Sequence, residues 1–219
     1  MKKKKVSIRV LPESGSVTGE YFLPEKSFCM ITMAHGAGAG MHHPFMVDLA
    51  QALAEKNIAT MRFNFLFTEN GKKRPDTPAV AHAAIEAALH HAQKQAGSLP
   101  VFLSGKSFGG RMSSQYLSMH MNAGVNGIIF FGFPLHAPGA PSIDRAEHLK
   151  EVKYPMLFLS GTRDEFARLD LLEKVCASLP KSTLVKIEGA NHGFKAGKLN
   201  VIEMLADETE KWIRKKLKK

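Results

Sequence analysis

The apolar positions fall into two periodicities that alternate along the chain. Residues 4–11 (KKVSIRVL) and 16–23 (SVTGEYFL) alternate apolar and polar, as half-buried strands do, and a Pro-Glu-Ser-Gly turn between them makes an antiparallel pair at a sheet edge. Continuous apolar runs follow at 27–35 (SFCMITMAH), 58–65 (IATMRFNF), 101–103 (VFL), 127–134 (GIIFFGFP) and 155–161 (PMLFLSG), with TLVKIEG at 183–189. Runs of this kind suit strands buried on both faces. Between them the period lengthens. Pro44 opens a helix with Met46, Leu49, Ala50 and Leu53 on one face, and Asn57 can end it. Thr77 can cap and Pro78 open a second, whose Ala81, Ala84, Ile85, Ala88, Leu89 and Ala92 form a stripe narrow enough to lie close on a sheet, with Gly97 as terminator. Helices are also predicted from the turn after Leu103 to about Met121, over 170–179 and over 198–217, whereas 66–74 reads as a polar, irregular loop. Strands alternating with helices after an initial hairpin predict one α/β domain over 1–219: a mostly parallel sheet covered by helices on both faces.

Chemistry concentrates where strands end. Residues 105–110 read GKSFGG, a Gly-x-Ser-x-Gly directly after an apolar strand and before a helix. A serine there can stand clear of the sheet only on a sharp turn, with glycines two residues before and after it. Downstream, Asp164 follows the strand at 155–161 in GTRDEF, and His192 follows that at 183–189 in NHGF. Ligands bind at the carboxyl ends of parallel strands, so these three segments and the glycine turn at 36–40, after the strand at 27–35, converge on one site.

Two other glycine-turn readings fail on spacing. A phosphate-binding loop ending in Gly105-Lys106-Ser107 needs a glycine five residues before Gly105, where Pro100 stands. A dinucleotide fingerprint in 36–41 needs a glycine at Met41 and an acid about 20 residues on, and the strand 58–65 carries Arg62 and Asn64 instead.

With AHGAGAG, GKSFGG, GTRDEF and NHGF in place, residues 27–215 resemble the α/β-hydrolase superfamily, in particular its small, lid-poor, dienelactone-hydrolase-like members with a serine nucleophile. The resemblance implies Ser107 as nucleophile, His192 as base and Asp164 as its carboxylate, in the chain order Ser, Asp, His. Asp144 and Asp170 are the other candidate acids. It further implies an oxyanion hole from the N–H groups of Phe108 and Ala37, with Gly38 as the close alternative. His35 reads as a structural residue of that turn. His42 and His136, with Arg62, are candidate substrate-binding residues, and His43 is a neighbour; Lys106, Arg111 and Arg163 also fall near strand ends. Only about twenty residues separate Pro134 from Pro155, which leaves room for one short helix and no large cap. The implied reaction is hydrolysis of an ester-type bond in a small-molecule acyl substrate. The alternative is a scaffold that keeps the fold for assembly.

The net charge of +10 changes the picture less than its size suggests. Nine of the thirty Lys and Arg lie in two acid-free runs, Lys2 to Lys5 and Arg214 to Lys219, and the remainder of the chain carries +1. These runs read as solubilising ends, so no nucleic-acid partner is expected. There is no HExxH, no apolar stretch of 18 residues and no leader pattern in MKKKKVSIRVLPES. The expectation is therefore no metal, no cofactor, no membrane, a cytoplasmic location, and a monomer or homodimer. Cys29 and Cys176 lack CxxC spacing and read as buried thiols in a reduced compartment.

Overall fold

A computed structural model describes residues 1–10 and 15–218. Eight strands form one sheet: β1 Lys2–Arg9, β2 Ser16–Leu23, β3 Cys29–Ala34, β4 Ile58–Phe63, β5 Val101–Lys106, β6 Ile128–Phe131, β7 Met156–Gly161 and β8 Ser182–Ile187. Their order is β1-β2-β4-β3-β5-β6-β7-β8. β1 and β2 pair antiparallel, β2 runs antiparallel to β4, and every other pairing is parallel. The sequence-predicted hairpin thus lies at one edge; residues 12–14 of its Pro-Glu-Ser-Gly turn fall outside the described residues.

Strand alternation divides the core. Leu103, Phe130 and Phe158 face the layer that holds helices α3 (Pro78–Ala96), α4 (Phe108–Met119) and α5 (Leu169–Ala177). Phe102, Phe131 and Leu159 face the layer with α1 (Pro44–Glu55) and α6 (Val201–Leu217). Ala81, Ala84, Ala88 and Ala92 of α3 are fully buried. With no side chain beyond Cβ, they let that helix lie close to its neighbours and lose no rotamer freedom in doing so.

Two expectations change. The lysine run Lys2 to Lys5 is part of β1, paired with Leu23 to Glu20, with Lys3 over the Phe22 ring. These exposed charges sit on an edge strand, where they discourage pairing with another sheet edge. The segment 66–74 begins with a short helix, α2 (Leu66–Glu69), whose Leu66 and Phe67 are buried. The connection from Phe131 to Met156 carries a single 3₁₀ helix, Asp144–Glu151, which packs on α4 through a 2.8 Å contact from Ser114 Oγ to His148 Nε2. No helix among the described residues is long and apolar enough to cross a membrane. Cys29 and Cys176 are buried and unpaired.

Candidate active site

Ser107 is the residue between β5 and α4, and its backbone has φ 50°, ψ −114°, a conformation that non-glycine residues avoid. The glycines on either side make it possible. A Cβ on Gly105 would lie 2.2 Å from the Gly110 nitrogen, and one on Gly109 would lie 2.4 Å from the Ala34 carbonyl oxygen, so both closest atoms are backbone. The strained turn lifts the Ser107 hydroxyl toward the loop after β8, where it meets His192 Nε2 at 2.8 Å. On the other side of the ring, Nδ1 lies 2.9 Å from each oxygen of Asp164, whose carboxylate is fully buried. A carboxylate only accepts, so Nδ1 carries the proton and Nε2 is left to accept from the serine. Asp164 is itself oriented by the Phe166 N–H, 2.8 Å from Oδ1, and the His192 ring packs against Phe166 at 4.4 Å between centroids.

The second half of the site is the turn after β3. The Ala37 and Phe108 N–H groups have no acceptor among the described residues, and neither has Gly38. Phe108 is the first residue of α4, where the helix dipole and unpaired donors favour negative charge. Buried His35 holds the turn: Nε2 accepts from the Phe65 N–H at 3.0 Å and Nδ1 donates to the Gly36 carbonyl at 2.8 Å. Burial pushes its pKa down to about 4, which keeps it neutral, the form these two bonds require. Asn64 Oδ1 accepts from the Met41 N–H and Arg62 donates to the Met41 carbonyl, so the turn is anchored at both ends. The cleft between this turn, the start of α1 and the loop of His192 encloses about 370 Å³. Ser107, Ala37, Phe45, Phe166 and His192 all line it. An alcohol hydrogen-bonded to a carboxylate-backed imidazole beside two unused N–H groups can attack a carbonyl and hold the oxyanion that forms.

A family model described as alpha/beta hydrolase domain matches residues 27–214. The chain belongs to the alpha/beta hydrolase family. The fold of this α/β hydrolase is similar to that of dienelactone hydrolase from Anabaena variabilis ATCC 29413, with TM-score 0.78 and 19% identity over 98% of this chain and 97% of that one. It is also similar to Est1E from Butyrivibrio proteoclasticus, solved with ferulic acid bound (TM-score 0.80, 14% identity, 98% and 100% covered). A third likeness is to an α/β serine hydrolase without a lid from Xanthomonas campestris (TM-score 0.75, 19% identity, 97% and 95% covered). Among curated proteins, a putative phosphoribosyl transferase of Mycobacterium tuberculosis (strain ATCC 25618 / H37Rv) is 27% identical over 205 residues, 91% of this chain. The chain spans 44% of that relative's length.

The α/β hydrolase brings Ser107, Asp164, His192, Ala37 and Phe108 together, and separates the three candidate substrate-binding residues from them. Arg62 is buried in β4 with its guanidinium ion-paired to Glu20, bonded to Met41 O at 2.9 Å and laid over Phe22. It therefore has no free face toward the cleft. His136 is buried, with Nδ1 donating to Ala137 O and Nε2 accepting from the Arg168 N–H, so both ring nitrogens are used within the loops. His42 is exposed and does not line the cleft; the next residue, His43, does, and caps α1 by accepting from the Phe45 N–H. Of the other acids, Asp170 is paired with Arg168, and Asp144 begins the 3₁₀ helix. Phe45, Met46 and Phe166 also line the cleft; the sequence reads Met46 only as part of the apolar face of α1 and does not mark the other two, because apolar residues after a turn look the same whether they face a core or a cleft.

Proposed function

We propose that this α/β hydrolase is a serine hydrolase that cleaves an ester-type bond, a carboxylic ester, thioester or lactone, through an acyl-enzyme. The observation that carries the reading is the hydrogen-bonded chain from Ser107 through His192 to Asp164, set beside the unused Ala37 and Phe108 donors. As Ser107 Oγ forms a bond to the acyl carbon, its proton passes to His192 Nε2, and Asp164 stabilises the imidazolium. The carbonyl electrons move to an oxyanion between the two N–H groups. That intermediate collapses, the bond to the leaving oxygen or sulfur breaks, and His192 returns the proton to the leaving group. Water repeats the sequence on the acyl-enzyme and frees Ser107. The strained Ser107 backbone supports a catalytic reading over a scaffold, because assembly alone would have no use for it.

The test is hydrolysis of short p-nitrophenyl esters. Wild type is expected to turn over p-nitrophenyl butyrate. Ser107→Ala should remove that activity. A wild type that does not turn the ester over, or an activity that survives the substitution, would count against the reading.

A further inference from the structure

Lys106 is the last residue of β5, next to Ser107, and it is the only lysine or arginine among the described residues that lines the cleft. Strand alternation sends its side chain to the same face of the sheet as Phe102, toward α1. Its Nζ donates to the His192 carbonyl at 2.7 Å and stands beside the Phe45 and Phe194 rings, 5.8 Å and 5.3 Å from their centroids. The two rings are stacked, 5.6 Å apart. A methyl group on Gly132 would stand 3.3 Å from Nζ, 3.5 Å from Asp164 Oδ2 and 3.5 Å from His192 Cε1, so the ammonium is beside the acid and imidazole that serve Ser107.

What distinguishes this cation is what it lacks. No carboxylate among the described residues comes within salt-bridge distance of it. Of its three donors, one has an acceptor among the described residues. A desolvated charge with no ion pair is costly, and a site that carries one favours a ligand of opposite sign. We infer that Lys106 is a specificity residue that binds a carboxylate on the substrate, so that the preferred substrates are ester-type compounds bearing a second, anionic group. This inference rests on the ester-hydrolase reading of the same cleft.

Burial lowers the ammonium's pKa from its ordinary value to about 8, and the charges of Asp164 and Glu165 oppose that fall. Below pH 8 the group is charged and attracts a carboxylate; as pH rises through 8 it becomes neutral and the attraction fades. The titratable groups around it are Asp164 and Glu165 after β7, His192 after β8 and His43 at the start of α1. Lys106→Met removes the ammonium and leaves those groups in place, so a pH-dependent preference present in wild type and absent from the variant reports on the lysine.

The experiment compares kcat/KM for p-nitrophenyl hydrogen adipate against p-nitrophenyl butyrate, and for 4-carboxyphenyl butyrate against phenyl butyrate. These place the charge on the acyl and the leaving side respectively. In wild type at pH 7, one pair should favour the carboxylate about tenfold or more, the size of effect a charge-assisted hydrogen bond gives. That ratio should fall toward unity in Lys106→Met and above pH 9, and be retained in Lys106→Arg. If the lysine only braced the His192 loop, Lys106→Met would slow both members of a pair alike and leave the ratio unmoved. In parallel, calorimetry with glutarate should show binding to wild type that Lys106→Met loses. Esters hydrolysed without a Lys106-dependent ratio or glutarate binding would overturn the carboxylate site and leave the hydrolase reading standing. Lys106-dependent glutarate binding without any ester turnover would do the reverse. Loss of both would overturn both.

Discussion

His192→Ala is expected to lower kcat on p-nitrophenyl butyrate by about 10⁶, and Asp164→Asn by about 10⁴, with KM changed far less. The inequality follows from the geometry. His192 is in contact with both other members of the set, at 2.8 Å from Ser107 Oγ and 2.9 Å from Asp164, so its removal leaves the hydroxyl with no base. Asn at position 164 keeps the shape but can present an N–H to the ring, which reverses the tautomer that lets Nε2 accept. Because the three act as a unit, Ser107→Ala combined with His192→Ala should be no slower than either alone. Steady-state kinetics normalised to folded protein reads this. Effects that multiplied, or a His192→Ala enzyme within tenfold of wild type, would mean that the imidazole is not the base.

Gly109→Ala should unfold the site rather than slow it. The added methyl carbon would sit 2.4 Å from the Ala34 carbonyl oxygen and 2.6 Å from its carbon, both atoms of β3 in the middle of the sheet. Neither can swing away as a side chain can, so α4 or β3 must move. Overpacking of this kind costs about 3 kcal/mol, which in a chain of this length is a fall in Tm of about 6–12 °C. Gly38→Ala is the contrast: nothing lies within 4 Å of the new carbon, and Tm should stay within about 2 °C of wild type. Thermal unfolding of the two variants side by side separates a steric requirement from a general intolerance of substitution near the cleft.

These two positions also show what the sequence makes legible. The turn at Ser107 is local: strand, two glycines and helix lie within a dozen residues, so spacing alone places the hydroxyl. Asp164 and His192 are far away in sequence, yet each follows an apolar run, and parallel strands put such positions at one end of the sheet. The lining of the cleft depends instead on pairings that no local pattern carries. Arg62 looked available because its strand ends near the site, but β2 returns antiparallel against β4 and sets Glu20 opposite it. His42 and His43 differ by one position, and where α1 starts decides which of them faces the cleft. The lysines of β1 read as a tail because a run of charge carries little sign of the strand it pairs with. Likewise Phe67 sits in a polar segment, and its burial against His35 comes from the fold around it.

Labelling with a fluorophosphonate, read by mass spectrometry of the intact chain and its peptides, tests the central claim with no assumption about the natural substrate. An activated serine displaces fluoride and keeps the phosphonyl group. The expected result is one adduct per chain, on the peptide containing Ser107, and none on Ser107→Ala. A wild-type chain that takes no adduct, or an adduct that persists when Ser107 is alanine, would contradict it.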